Sequence, residues 1–407
     1  MKMLIANAIY PTDRFPDIMG GAEMSVRKIA EGLTQRGHEI HVLTPGAPKA
    51  EPIVENFEGV QIHRLPTRNI YDFHKNKPSN PFTRMGWHIL DDFGIVPQHL
   101  DRLLEQIAPD VLHTNTLSGL STGLWKKASD RGIPVVHTLR DYYLLCTRCT
   151  LFRKGNICAK PCIDCSVVTQ GRRHRTKYVD AVVGNSIFTL NLHLDAGLFS
   201  KATIRKAIGS ISEAPKSKAS IAPTKKEPGA PAIFGYIGRI SPTKGVEQVI
   251  EAIVLAETNE RIVIAGAIDN DVAKSLVARY AEHPRVSFVG FVPPETFYHQ
   301  VDVVVAPSLW YEPLPRSVVD AIAFGKPVVG SNRGGTVEAM GEPLRGWVYD
   351  PSTKGDLRLA LDEAHEWIMN GTTFPSLPAP TTSVLTAYLD TYESAVATKV
   401  SKALEHD

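Results

Sequence analysis

The sequence contains no apolar run near the roughly 18 residues that a membrane-spanning helix requires. Its opening stretch, Met1 to Ala8, is apolar but short, and it runs into Tyr10-Pro11 without a small-residue cleavage site. A secretory signal is therefore not expected, and the chain reads as cytoplasmic. Cysteine is scarce, with five in 407 residues, and a reducing cytosol would keep those thiols out of disulfides. An excess of one charge is also missing. The 45 Lys and Arg face 43 Asp and Glu, a balance that gives no reason to expect nucleic acid as a partner. No G-x-G-x-x-G follows a strand, so the dinucleotide fingerprint is absent.

What is present is an ordinary globular composition, 43% hydrophobic and 22% charged, on a chain long enough for two or three domains. Charge is unevenly spread. Between Arg140 and Lys177 nine cations accompany only Asp141 and Asp164. That segment suits an anionic acceptor or the surface of an anionic membrane, and equally a solvated basic helix.

Short β-rich runs alternate with helical periodicity, which predicts parallel sheets with helical crossovers. Strands are expected at residues 3–10, 38–44, 60–65, 111–114, 133–138 and 181–186. Ala22, Val26, Ile29, Ala30 and Leu33 mark a helix that Gly37 closes. From about 200 to 231 the pattern gives way to Pro, Lys, Ser and Ala, including Pro215, Pro223, Pro228 and Pro231, and reads as a connection. A second α/β series follows, with strands at 232–240, 261–266, 286–289, 301–306, 327–330 and 346–349. A further Pro-rich stretch, 374–380, precedes a last helix. The expected division is an N-terminal domain over 1–205 and a C-terminal domain over 206–381, with a helix over about 382–407 packing back on the first. Two such units place a cleft at the C-terminal ends of their strands.

Three constellations fall where that arrangement would receive a ligand. Gly20-Gly21-Ala22-Glu23 opens the first helix, where paired glycines admit a close ligand and free N–H groups attract phosphate. Arg239 and Lys244 share the loop after the first strand of the second series, placed to clamp a diphosphate. The third runs from Tyr311 through Glu312, Pro313, Leu314, Pro315, Arg316 and Ser317 to Asp320, and closes at Gly325. Pro315 suits a first helical turn, and the N–H groups near Arg316 and Ser317 form an anion site. Glu312 and Asp320 offer carboxylates to the vicinal hydroxyls of a sugar or ribose. Asp320 leans toward the helix N-terminus and the turn of Ser317.

The order of these motifs, with Gly334-Gly335-Thr336-Val337-Glu338 downstream, resembles the retaining GT-B glycosyltransferases of family 4 over nearly the whole chain. The resemblance implies an α/β fold of two Rossmann-like domains facing across a cleft. It implies transfer of a sugar, with retention of anomeric configuration, from a UDP-, GDP-, ADP- or dTDP-linked donor. By it Arg239 and Lys244 bind the diphosphate, Glu312 meets the sugar hydroxyls and Asp320 holds the ribose. The backbone of Leu314, Pro315, Arg316 and Ser317 lies near the phosphates, and Gly20 and Gly21 approach them from the other domain. Three departures stand out. Asp320 takes the place of a longer Glu, Pro315 removes one N–H donor, and Arg140-Asp141 stands where many members carry His-Asp. Asp141 remains a candidate for orienting the acceptor, whereas His113 and His137 read as packed core histidines.

No D-x-D pair lies near the expected cleft, and no cofactor is required for the transfer. The acceptor is expected to be a lipid-linked glycan or a growing surface polysaccharide, which adds peripheral contact with the inner face of the cytoplasmic membrane. A nucleotide-sugar epimerase and a non-catalytic sugar-nucleotide-binding subunit share the same fold and remain as alternatives. All five cysteines fall within 20 residues as C-x2-C-x8-C-x3-C-x2-C. The outer pairs, Cys146 with Cys149 and Cys162 with Cys165, are candidate ligands of a structural zinc, with Cys158 as a spare or alternative. An iron–sulfur cluster on the same ligands comes second, and a loop of free thiols is the third reading. The proposed metal would hold the loop and present the cations of 172–177.

Overall fold

The computed structural model describes every residue except 16–19, 72–79, 213–225, 228, 372–373, 375–382 and 405–407, and only the backbone of 402 and 403. Much of the expected connection, with Pro215, Pro223 and Pro228, lies outside the described residues, as do 375–380 of the second Pro-rich stretch. The chain forms two compact units. The first comprises Met1–Leu151, Cys158–Ile211 and Pro380–Asp407, and the second Phe152–Ile157 and Ser212–Ala379.

The first unit holds β1 (Lys2–Ala6), β2 (Glu39–Gly46), β3 (Ile53–Phe57), β4 (Val60–Pro66), β5 (Val111–Thr114) and β6 (Val135–Leu139). The two short strands β7 (Phe152–Arg153) and β8 (Asn156–Ile157), which fall in the second unit, pair with each other. Then come β9 (Ala181–Gly184) and β10 (Ile204–Ala207). The large sheet runs β10-β9-β6-β5-β1-β2-β4-β3, parallel except for the β3–β4 pair. The predicted periodicity of the first helix becomes Gly21–Gln35, whose Val26, Ile29 and Leu33 pack on Ile5, Val42 and Val136.

The last helix, Val384–Leu404, completes this core through Tyr388, Tyr392 and Ala395. Tyr392 Oη lies 2.8 Å from His113 Nδ1, and His113 Nε2 lies 2.8 Å from Thr138 Oγ1. His137 Nδ1 meets Thr114 Oγ1 at 2.9 Å, so both histidines sit in the sheet interior. Burial lowers the pKa of His113, and it brings His137 down to about 3, which keeps them neutral.

The second unit adds β11 (Ala232–Ile237), β12 (Glu260–Ala265), β13 (Val286–Gly290), β14 (Val303–Ala306), β15 (Val328–Ser331) and β16 (Gly346–Tyr349). They are all parallel, in the order β13-β12-β11-β14-β15-β16. This is the doubly wound order in which the strand order reverses between β11 and β14, the place where ligands bind such sheets. Apolar clusters cover both faces: Val249, Ile250 and Ile253 of the helix Val246–Leu255 on one, Val318 and Ala321 of Arg316–Ala323 on the other.

Three expectations shift. Residues from 200 onward are not all connection, because β10 pairs with β9 as the outermost strand of the first sheet. The division between units therefore falls at Ile211–Ser212, later than residue 205. The first strand ends at Ala6 and β11 at Ile237, both earlier than expected.

Candidate functional site

In the second unit the loops after β11 and β14 meet at the reversal point. Gly238 (φ 148°) lets the chain leave β11, and Gly245 (φ 66°) caps the next helix. A Cβ on Gly245 would lie 2.1 Å from the Pro307 carbonyl oxygen, so only glycine lets the two loops approach this closely. The result is a charge cluster. Lys244 Nζ donates to Glu312 Oε1 at 2.5 Å, and Ser308 Oγ (2.5 Å) and Trp310 Nε1 (2.9 Å) donate to the same oxygen. The Lys244 ammonium also lies 5.6 Å from the Trp310 ring centroid.

Glu312 is buried, and its backbone is clasped from the far side. Gly335 N–H donates to Glu312 O at 2.7 Å, and Gly334 takes φ 66° where a Cβ would lie 2.2 Å from that oxygen. The downstream glycine pair thus holds the acidic loop in place. Arg239 is exposed, and Tyr236 Oη fixes its carbonyl at 2.7 Å.

Pro315 caps the helix Arg316–Ala323, and Gly325 (φ 69°) ends it. Leu314 and Ser317 are partly buried at its start, and Pro315 is buried. Asp320 is buried one turn along, with Arg316 Nε 3.3 Å from its Oδ2. The acid therefore does lean toward the helix N-terminus, and its partner there is Arg316. In the first unit, Gly20 caps Gly21–Gln35 without a side-chain cap. A Cβ on Gly20 would meet the Glu23 carboxylate at 2.5 Å, so that side chain folds over the helix start.

Asp141 follows β6 and accepts from the Tyr143 N–H at 2.9 Å. Burial raises its pKa to about 6, with Glu23 adding to the rise while the Tyr143 bond and Arg172 oppose it. No spacing along the chain signals this effect of Glu23 on Asp141, since the two residues lie more than a hundred positions apart.

The cysteine segment folds onto itself. Cys162 Sγ lies 3.9 Å from Cys165 Sγ, and with an Asp164 oxygen their ligand atoms all fall within 4.8 Å of one another. Thr147 Oγ1 is 3.5 Å from Cys165 Sγ. Cys146 and Cys165 share a hydrogen bond that favours a thiolate on Cys146, whose pKa comes down to about 6. Burial, and after it the neighbouring Cys162 thiol, pushes the Cys158 pKa up. Two thiolates on one tetrahedral zinc sit roughly 3.8 Å apart, given Zn–S bonds of about 2.3 Å. The Cys162–Cys165 spacing fits that geometry, and the cluster is able to hold a metal ion.

The cations that follow are not a free array. Arg172 is fully buried, 3.1 Å from Asp91 Oδ2, with its guanidinium carbon 4.1 Å from the Tyr143 ring centroid. Arg175 donates to the Asp92 carbonyl at 2.5 Å. The expected presentation of 172–177 to an acceptor is therefore corrected for these two residues. A buried carboxylate needs a cation, and the sequence periodicity could not show that Asp91 was buried.

Residues 217–366 match the family described as glycosyl transferases group 1, and residues 19–198 match glycosyltransferase family 4. The chain belongs to the family 4 GT-B glycosyltransferases. It is 31% identical over 339 residues to a 42.6 kDa protein of the cps region of Klebsiella pneumoniae, covering 83% of this chain and 87% of that one. Its fold is similar to sucrose-phosphate synthase of Thermosynechococcus elongatus, with a TM-score of 0.67 and 18% identity over 100% and 98% of the two chains. It is also similar to Anabaena HepE in complex with UDP and glucose, with a TM-score of 0.61 and 17% identity over 100% and 99%.

As a GT-B glycosyltransferase, the chain brings Lys244 and Glu312 together and sets Arg316 against Asp320. Sequence reasoning missed Ser308 and Trp310 as partners of Glu312. A polar side chain and an indole N–H shortly before a buried acid were the available signal.

Proposed function

We propose that this glycosyltransferase moves a sugar from a nucleoside-diphosphate donor to a hydroxyl of a lipid-linked glycan or surface polysaccharide, with retention at the anomeric carbon. The observation that carries the reading is the convergence of Lys244, Ser308 and Trp310 on Glu312 Oε1 at the reversal point of the second sheet. Three donors on one oxygen fix the carboxylate and leave Oε2 for a sugar hydroxyl. Lys244 and Arg239 neutralise the departing diphosphate, and the N–H groups of Arg316 and Ser317 add to that field. Asp320 accepts from the ribose hydroxyls. Gly20 and Gly21 offer backbone N–H groups to the phosphates, and Asp141 orients the acceptor. A relative from a cps region favours a glycan of the cell surface.

The test is nucleotide binding. Among UDP, GDP, ADP and dTDP, the cognate nucleotide raises the melting temperature most. Asp320→Asn removes the charged acceptor and raises its Kd about 10- to 100-fold, while kcat at saturating donor changes less. An unchanged Kd with a large loss of kcat reverses the assignment.

Asp141 gives a pH dependence. Its pKa is raised from 3.8 to about 6, so the folded chain holds the proton more tightly than the unfolded chain. Stability is thus lost as pH rises through that window, and the orienting carboxylate is gained above it. The expected kcat/KM rises through about pH 6 in the wild type. The residual activity of Asp141→Asn lacks that limb, and the same limb persisting in the variant removes Asp141 from the role.

The thiol cluster is proposed to carry structural zinc, with an iron–sulfur cluster second, held by Cys146, Cys149, Cys162 and Cys165, with Cys158 as the alternative ligand. The chain is proposed to act as a peripheral protein at the inner face of the cytoplasmic membrane.

A further inference from the structure

The helix Pro81–Asp92 is inverted. Its buried positions, Trp87 and Asp91, lie one turn apart on the inner face. On the opposite face Phe82, Met85, Ile89 and Phe93 recur at helical spacing and are exposed, Phe82 by 85% and Phe93 by 70%. A surface helix ordinarily turns its apolar stripe inward.

The inversion is enforced by polar anchors. Asp91 forms the buried ion pair with Arg172, and Tyr143 donates its hydroxyl to the same Asp91 oxygen. Asp92 accepts from the N–H groups of Gly171 (2.9 Å) and Arg172 (2.8 Å). Trp87 Nε1 donates to the Tyr71 carbonyl at 3.1 Å. Rotating the stripe inward would break all of these and strand a buried charge. The neighbouring helix Ile163–Val168 packs against Pro81–Asp92 and adds Ile163 (85% exposed) and Val167 (65%).

Beyond Phe93 the surface becomes cationic. A cavity of about 430 Å³ is lined by Arg68, His99, Arg102 and Lys127 together with Gly94 and Ile95. Asp101 is its one lining carboxylate, and it is paired with Lys127 at 2.9 Å. Arg148 and Lys160, both exposed, lie in the segment that leads to the second helix. Among the described residues no helix is long and apolar enough to cross a membrane. An apolar stripe bordered by a pocket of cations matches a bilayer with anionic phosphate headgroups, where side chains enter the acyl boundary while arginines meet phosphate.

We propose that the outward face of Pro81–Asp92 and Ile163–Val168 is the surface by which this chain docks on an anionic phospholipid bilayer. The proposal deepens the reading of a membrane-borne acceptor, but its measurement needs neither donor nor acceptor. Full-length protein is sedimented with phosphatidylcholine vesicles, with and without about 30 mol% phosphatidylglycerol. Wild type binds the anionic vesicles, and binding weakens toward about 0.5 M salt.

Phe82→Ser with Phe93→Ser lowers the vesicle partition coefficient about tenfold or more. Arg68→Ala with Arg102→Ala removes the preference for phosphatidylglycerol. Both double variants keep wild-type nucleotide binding, since none of the four residues belongs to the donor site. No sedimentation of wild type with anionic vesicles, or equal binding by the Phe variant, overturns the proposal. Lipid-free dimerisation abolished by the Phe variant assigns the face to a second copy of the chain and also overturns it. Loss of nucleotide binding with vesicle binding intact counts against the transferase site alone.

Discussion

Lys244→Ala is expected to lower turnover about 10²–10³-fold with the fold intact, and Arg239→Ala to act in the same range. Both side chains lie on the loop that leaves β11, and the leaving group of the transfer is a diphosphate whose negative charge grows as the sugar bond breaks. A fixed cation stabilises that charge more in the transition state than in the bound donor, so the loss falls on kcat as well as kcat/KM. Lys244 carries a second duty, because its ammonium is one of the three donors on Glu312 Oε1. Removing it leaves a buried carboxylate with Ser308 and Trp310 alone. Lys244→Ala is therefore expected to be the more damaging of the two, and to disturb recognition of the sugar as well. Arg239 is exposed, and its loss should leave stability unchanged. Steady-state rates on variants of wild-type circular dichroism and melting temperature are the measurement. Near-normal turnover in both would remove the diphosphate clamp.

Protein purified without chelator, under nitrogen, is expected to hold close to one equivalent of metal, zinc before iron. Cys162→Ser or Cys165→Ser should bring that below about a tenth of an equivalent. Cys146→Ser should act in the same way, because its thiol hydrogen-bonds to that of Cys165. Replacing Cys149 and Cys158 one at a time shows which of the two completes the ligand set. The segment has few apolar residues with which to order itself, so metal loss should unfold it locally and expose 152–161 to proteolysis. Elemental analysis with limited proteolysis decides the matter. Metal-free wild type that is folded and active would overturn the site, and metal kept in Cys149→Ser but lost in Cys158→Ser would put Cys158 in the place of Cys149.

The sequence by itself determined the α/β class and the two tandem units, and it picked out the loops after β11 and β14. Those features are local. Period-2 and period-3.6 patterns, a glycine with positive φ after a helix and a proline at a helix start all act within a few residues. Gly325, Pro315 and the run Val26, Ile29, Leu33 were legible on that ground. The helix Pro81–Asp92 defeats the same logic, because its apolar stripe faces outward and would be assigned to the core on periodicity alone.

Only the tertiary structure decided what is joined over distance. It gave β10 to the first sheet, buried Arg172 against Asp91 and brought the Glu23 charge within reach of Asp141. It also supplied Ser308, Trp310 and the Gly334-Gly335 clasp around Glu312. The physical reason is the same in each case. Whether a charge is solvated, paired or buried depends on which distant segments exclude water from it, and no spacing along the chain encodes that exclusion.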